Sequence, residues 1–141
     1  MNRILIDTDV ILDFFFDRQP FAENAAQIFS LCESKVIKGS ITPVILSNVY
    51  YLLRQNAKHE KVIEKLKLLL SITEIIIIDK EVILQALNSD FKDFEDALQN
   101  YSAEFDKEID LIVTRNTKDF KHSLLAVMTP ENYMKIKSAN H

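Results

Sequence analysis

The side chains able to do chemistry in this sequence are mostly carboxylates, and they stand in three separate segments. In the first, an apolar run over residues 4–6 ends in Asp7 and Asp9. On an extended backbone, side chains two apart point to the same side. Two carboxylates on one side repel each other unless a cation or a proton lies between them. The plain alternative is a helix cap, more readily Asp9 than Asp7, accepting a backbone N–H of the helix that follows. The second segment, DFEDAL, sets Asp93 and Asp96 three apart on one helix face, with Glu95 turned away and Phe94 and Leu98 as the buried stripe. Asp93 also suits the first turn, where the helix dipole favours an anion. Asp96 lies deeper, beyond a capping role. The third segment, DLIVTRNTKDF, reads as a buried strand that releases Thr114, Asn116 and Asp119 into the loop at its carboxyl end. Turn shaping is the ordinary alternative for Thr114 and Asn116.

Oxygen donors drawn from separate segments, without paired histidines or cysteines, favour a hard cation such as Mg2+ or Mn2+. The three histidines read as unrelated to it: His59 heads a surface helix, His122 is an exposed loop residue, and His141 is the mobile last residue. A zinc hydrolase is therefore not expected.

The elements that must position these groups follow from hydrophobic periodicity. Short apolar runs predict strands over residues 4–6, 40–42, 75–78, 111–113 and 125–127. Amphipathic stretches predict helices over 22–36, 44–55, 60–70, 80–87 and 94–105. Five unbroken apolar strands separated by helices imply a parallel sheet covered on both faces, hence an α/β fold, a three-layer α/β/α sandwich. Ligands of such sheets gather at the carboxyl ends of the strands, where strand order reverses. Asp7 and Asp9 follow the first strand, Asn116 and Asp119 the fourth, and Asn48 lies one turn into the helix after the second. Pro20, Pro43 and Pro130 fall near element ends, where a fixed φ and a missing donor do least harm.

A length of 141 residues predicts a single domain over 1–141. Hydrophobic residues at 48% and charged residues at 27% exclude a disordered or fibrous chain. The N-terminal segment lacks the basic start and long apolar stretch of a signal peptide. No apolar run approaches the ~20 residues that cross a bilayer, so a soluble, cytoplasmic protein without a membrane partner is expected. Cys32, the only cysteine, rules out a disulfide framework or thiolate cluster and reads as a small core residue. Gly39, the only glycine, excludes the glycine-rich loops of nucleotide sites and the nucleophile elbow. A net charge of -4 argues against gripping nucleic acid by bulk electrostatics. Residues 54–67 nevertheless hold Arg54, Lys58, Lys61, Lys65 and Lys67 against Glu60 and Glu64, a solvated helix face or a nucleic-acid footprint.

Taken together, in this order and over essentially the whole chain, the three segments resemble the PIN-domain family, in particular the VapC-type toxins of prokaryotic toxin–antitoxin pairs. Asp7 in IDTDVILD matches the first acidic residue of that family. Asp96 in FEDAL matches the acidic residue before the fourth strand, and TRNTKDF matches the loop of the last polar ligands. There are departures. Asn48 in SITPVILSNVYYLL stands where the family usually has a glutamate, and Asn116 where many relatives have an aspartate, which leaves Asp119 as the acidic member.

The resemblance implies a ribonuclease that hydrolyses RNA phosphodiesters with a metal-activated water. Asp7 and Asp96 would hold Mg2+ or Mn2+, Asp93 and Asp119 would join them as ligands, and Asn48 and Asn116 would ligate or position water. Arg115 and Lys118 would meet substrate phosphates or simply solvent. A homodimer and a cognate antitoxin covering the acidic crevice are also implied, with Phe14, Phe15, Phe16 and Phe21 available to an interface or to the core. Two other readings stand beside this one. An inactive PIN domain kept for binding would explain the missing glutamate. A haloacid-dehalogenase-like phosphatase also has two aspartates at this spacing after a first strand, but the chain is short for that fold and DFEDAL precedes a strand.

Overall fold

In the computed structural model, which describes residues 2–139, the chain runs β1 (Arg3–Ile6), α1 (Thr8–Phe15), α2 (Ala22–Glu33), β2 (Lys38–Ile41), α3 (Pro43–Arg54) and α4 (His59–Ile72). It continues through β3 (Glu74–Ile75), α5 (Lys80–Leu87), α6 (Phe94–Asp106), β4 (Leu111–Val113), a 3-10 turn (Thr117–Phe120), β5 (Ala126–Met128) and α7 (Pro130–Ala139). The expectation for His141 lies outside the described residues.

The strands form one five-stranded parallel sheet in the order β3-β2-β1-β4-β5. Ile4, Leu5 and Ile6 of β1 and Leu111, Ile112 and Val113 of β4 are all fully buried. Only strands covered on both faces bury consecutive residues in this way, so the α/β/α layering follows from the apolar runs. Each such side chain removed from water stabilises the fold by roughly 1.5–3 kcal/mol. Leu5 sits in register with Ser40 on one side and Ile112 on the other. From β1 the chain steps outward through β2 to β3, then returns to the opposite side of β1 as β4. Strand order therefore reverses beside β1, and the crevice at its carboxyl end lies next to that of β4.

Element ends depart from the periodicity in physically readable ways. The chain enters α1 directly at Thr8, so Asp7 and Asp9 do not share an extended stretch. Helix α2 stops at Glu33 because Lys35 takes a left-handed backbone, φ 64°. The strand expected over 75–78 shortens to Glu74–Ile75, at the sheet edge, where Ile75 and Ile77 are exposed. Pro43 and Pro130 open α3 and α7, where a missing N–H is harmless. Gly39 is required by packing: a Cβ there would lie 2.7 Å from both Cys32 Sγ and Ile6 Cδ1. The Cys32 thiol under it is buried and pushed up to about 11 by that burial, which makes it inert. Among the described residues, no helix is long and apolar enough to cross a membrane.

Candidate active site

Strands β1 and β4 end side by side, with the Asp7 N–H donating to the Val113 carbonyl at 3.0 Å. This puts Thr114 against Asp7, and its hydroxyl donates to Asp7 Oδ2 at 2.9 Å. The Thr8 N–H donates to Asp7 Oδ1 at 2.8 Å, so Asp7, and not Asp9, is the cap of α1. Asp9 occupies the first helical turn. Its Oδ2 accepts the Arg115 N–H at 3.0 Å and the Asn116 side-chain amide at 3.3 Å. The Asn116 N–H in turn donates to the Thr114 hydroxyl at 3.1 Å.

One turn further on, the fully buried Asp13 takes the Arg115 guanidinium through two hydrogen bonds, at 2.6 and 3.1 Å. The face of that guanidinium lies 4.0 Å from the Phe21 ring centroid. Arg115 is thus engaged on its fork and on its flat face. The expectation that it holds substrate phosphates gives way to a structural role. Phe14, Phe15 and Phe16 pack against the core.

The second cluster is built differently. Asp93 Oδ1 accepts the Asp96 N–H at 2.9 Å, so Asp93 caps α6. Asp96 is the third residue of that helix, shallower than its sequence context suggested. Asp96 is half-buried and its carboxyl is pushed up to about 7, first by burial, then by the charges of Asp7, Asp93 and Asp119. Asp7 is buried and also pushed up to about 7, by burial and then by Asp9, with a smaller push from Glu95. Asp9 is raised as well, mainly by burial. The charges acting on Asp96 join the end of β1, the start of α6 and the 3-10 turn in one negative field. Glu95, expected to turn away, contributes to it at both Asp7 and Asp96.

Asp7, Asp93, Asp96 and Asp119 thus share one electrostatic environment, and Asn116 reaches it through Asp9. Asn48 is half-buried on α3, and among the described residues no hydrogen bond ties it to the group. Nor do any three His, Cys, Asp or Glu side chains among the described residues stand close enough to cage an ion by themselves. The donors are nonetheless all hard oxygens, and two of them, Asp9 Oδ1 and Thr8 Oγ1, are buried without a hydrogen-bond partner. Such a set fits a divalent cation that keeps part of its water shell, the usual habit of Mg2+.

A cleft of about 640 Å³ opens beside Asp93, Asp96 and Asp119, and His122 lines it. His122 is the exposed turn residue expected from the sequence, and it stands at the rim of this cleft. His59 instead pairs with the Tyr50 hydroxyl at 2.9 Å, away from this group.

The sequence profile of the PIN domain matches residues 3–118. The chain belongs to the PIN-domain family. Among solved structures, it is similar to a toxin–antitoxin complex from Klebsiella pneumoniae (TM-score 0.67, 24% identity, covering 90% of this chain and 97% of that one). It is similar also to VapBC2 of Rickettsia felis bound to a promoter DNA fragment (TM-score 0.65, 19% identity, 89% and 96%). A third is the Sarcin-Ricin loop cleaving VapC toxin of Mycobacterium tuberculosis (TM-score 0.59, 16% identity, 77% and 86%). Among curated proteins, none matches the chain.

Family membership, and the place of Asp9 inside a helix, leave the phosphatase resemblance without support. What sequence reasoning missed in this PIN domain is Asp13. The spacing of Asp9 and Asp13, i and i+4, would have put both on one face had residues 8–15 been read as a helix. The dense apolar run around them hid that period.

Proposed function

We propose that this PIN domain is a metal-dependent ribonuclease that hydrolyses RNA phosphodiester bonds as the toxin of a toxin–antitoxin pair. The observation that carries the reading is the pairing of Asp7 with Asp96. Two carboxyls from distant segments are each pushed up to about 7, and the charge of Asp7 is, after burial, the next cause of the rise at Asp96. Uncompensated charge of this kind is unfavourable unless a ligand uses it. The toxins that share the fold, one of them described as cleaving the Sarcin-Ricin loop, support the substrate class. The toxin–antitoxin complexes among them support a cognate antitoxin as partner, and a homodimer working in the cytoplasm is part of the same proposal.

Asp7 and Asp96 would hold the ion, Asp93 and Asp119 would serve as further ligands, and Asn48 and Asn116 would ligate or place water. When bound, Mg2+ or Mn2+ supplies Lewis acidity toward the phosphate oxygens and a lowered pKa for water. The chain's own contributions are positional. Thr114 and the Thr8 N–H fix both oxygens of Asp7. Asp93 fixes the start of α6 and so the backbone that carries Asp96. Asp119 is exposed on the 3-10 turn and lines the cleft beside Asp96.

The test is cleavage of structured and unstructured RNA in Mg2+ or Mn2+, with a chelator control. Ion-dependent cleavage is the expected result, and cleavage that survives the chelator would overturn the reading. One observation favours a second reading, a PIN domain kept for binding: no three acidic side chains form a ready ion cage. Antitoxin binding without cleavage in any divalent ion would select it.

A further inference from the structure

The buried face of α6 is polar where packing would ordinarily make it apolar. Asp96, Gln99, Asn100 and Ala103 fall at i, i+3, i+4 and i+7 on one side of the helix, and the last three are fully buried. Asn100 has a local use. Its amide donates at 2.8 Å to the Glu104 carboxylate, which also takes the Leu124 N–H at 2.9 Å and so anchors the chain entering β5. Gln99 reaches further. The Thr42 hydroxyl, which caps α3 by accepting the Ile45 N–H, donates to Gln99 Oε1 at 2.6 Å. That separation suits O–H···O and is short for N–H···O, so the amide oxygen faces Thr42 and the nitrogen faces away. Thr42 follows Ser40 by two residues as Asp7 follows Leu5, and Leu5 and Ser40 are in register, so Thr42 stands level with Asp7. Gln99 therefore ties the helix carrying Asp96 to the strand end beside Asp7.

The other end of this amide is idle. Gln99 Nε2 is buried without a hydrogen-bond partner, which costs stability unless something uses the donor. One turn away on the same helix face, the Asp96 carboxylate accepts no hydrogen bond among the described residues. A carboxylate that ligates an ion is itself hydrogen-bonded, and the donor fixes its orientation. Resting on the ribonuclease reading, we propose that Gln99 is the positioning residue of Asp96, with Oε1 anchored by Thr42 and Nε2 donating to the Asp96 carboxylate when that group ligates the ion. One side chain, touching neither ion nor RNA, then sets both the seat of α6 beside Asp7 and the orientation of the ligand that α6 carries.

The test reads ion binding by the full chain with no RNA present. Gln99→Met keeps the length of the side chain and removes both ends of the amide. It is expected to bind Mn2+ about tenfold more weakly by calorimetry. Its thermal unfolding in chelator should stay level or move upward, because an idle buried donor is gone. A merely structural amide gives the opposite pair, earlier unfolding with the parent's Mn2+ affinity, and overturns the proposal. A second measurement needs no variant: the Gln99 side-chain amide protons of the parent are followed by NMR through a Mg2+ titration. One of them is expected to shift downfield as it gains a charged acceptor. A resonance indifferent to bound Mg2+ would leave Nε2 to a buried water and overturn the proposal. A chain that shows both effects yet cleaves no RNA keeps the Gln99 role and defeats the nuclease. Ion-dependent cleavage by parent and Gln99→Met alike, with equal Mn2+ affinity, defeats the Gln99 role alone.

Discussion

On the β1–β4 side of the acidic group, carboxylates are held by donors. Asp13 takes two bonds from Arg115, Asp9 accepts from the Arg115 and Asn116 nitrogens, and Asp7 accepts from Thr8 and Thr114. On the α6 side, Asp96, Asp119 and Glu95 have no hydrogen-bond donor to their carboxylates among the described residues, and Asp96 is raised by burial and then by its acidic neighbours. Similar residue types thus do different work. A carboxylate whose lone pairs are satisfied fixes backbone, whereas one left facing like charge is available to a cation or a phosphate-bound ligand. Asp7 belongs to both sides, since it is hydrogen-bonded and still pushed up to about 7. The contrast predicts that damage on one side is read in stability and damage on the other in chemistry.

The largest effect should come from Asp96→Asn. Loss of a charge that would hold the ion is expected to lower ion-dependent RNA cleavage on the order of 1,000-fold, or about 4 kcal/mol of barrier. Without an ion the same change removes a repelled charge, so thermal unfolding should stay level or move upward. A variant that unfolds early and cleaves normally would dissolve the contrast. Asp13→Ala is the reciprocal case. It leaves the Arg115 guanidinium without its buried partner and should cost about 3 kcal/mol in denaturant unfolding. Arg115→Lys should recover only part of the pairing, because an ammonium cannot reproduce the two-pronged contact.

How much of this was legible in the sequence depends on whether the cause was local. Ile4–Ile6 and 111–113 announce central strands because consecutive buried branched residues have few other uses. Asp7 and Asp96 announce themselves because a carboxylate flush against apolar residues must have a purpose. The Asp13–Arg115 clamp spans 102 positions and leaves no local trace on either residue. Helix α1 was masked by VILDFFF, whose near-continuous apolarity carries no helical period. His122 reads as a loop residue until folding brings its loop against the link into α6. In each case the missing information is tertiary proximity, which spacing along the chain does not encode.

The pH response tests the residue shared by both sides. In the ion-free protein the Asp7 carboxyl is held at about 7, against about 4 when unfolded. Between those values the folded state binds more protons. The stabilisation is therefore complete below about pH 4 and lost as pH rises through 7, of order 4 kcal/mol. Asp96 shifts in the same direction. Unfolding in chelator from pH 4 to 8 should show this fall, Asp7→Asn should flatten it, and saturating Mn2+ should offset it at the upper end. An ion-free protein more stable at pH 8 than at pH 5 by virtue of Asp7 would contradict the assignment.

The smallest expected effect concerns Asn48. It lies on α3, whose start is fixed by the Thr42 hydroxyl accepting the Ile45 N–H at 3.1 Å. Thr42 also reaches α6, through a 2.6 Å bond to Gln99 Oε1. Two helices of the site are thereby coupled through one buried threonine, and Asn48 rides on the first of them. An added charge there should reach the ion without disturbing the Arg115 clamp. Asn48→Glu is accordingly expected to tighten Mn2+ binding about tenfold, or about 1.4 kcal/mol, by calorimetry. The same variant should be less stable in chelator, because the new carboxylate joins the unpaired side. Unchanged Mn2+ affinity together with unchanged ion-free stability would place Asn48 outside the acidic field and confine the ligands to β1, α6 and the 3-10 turn.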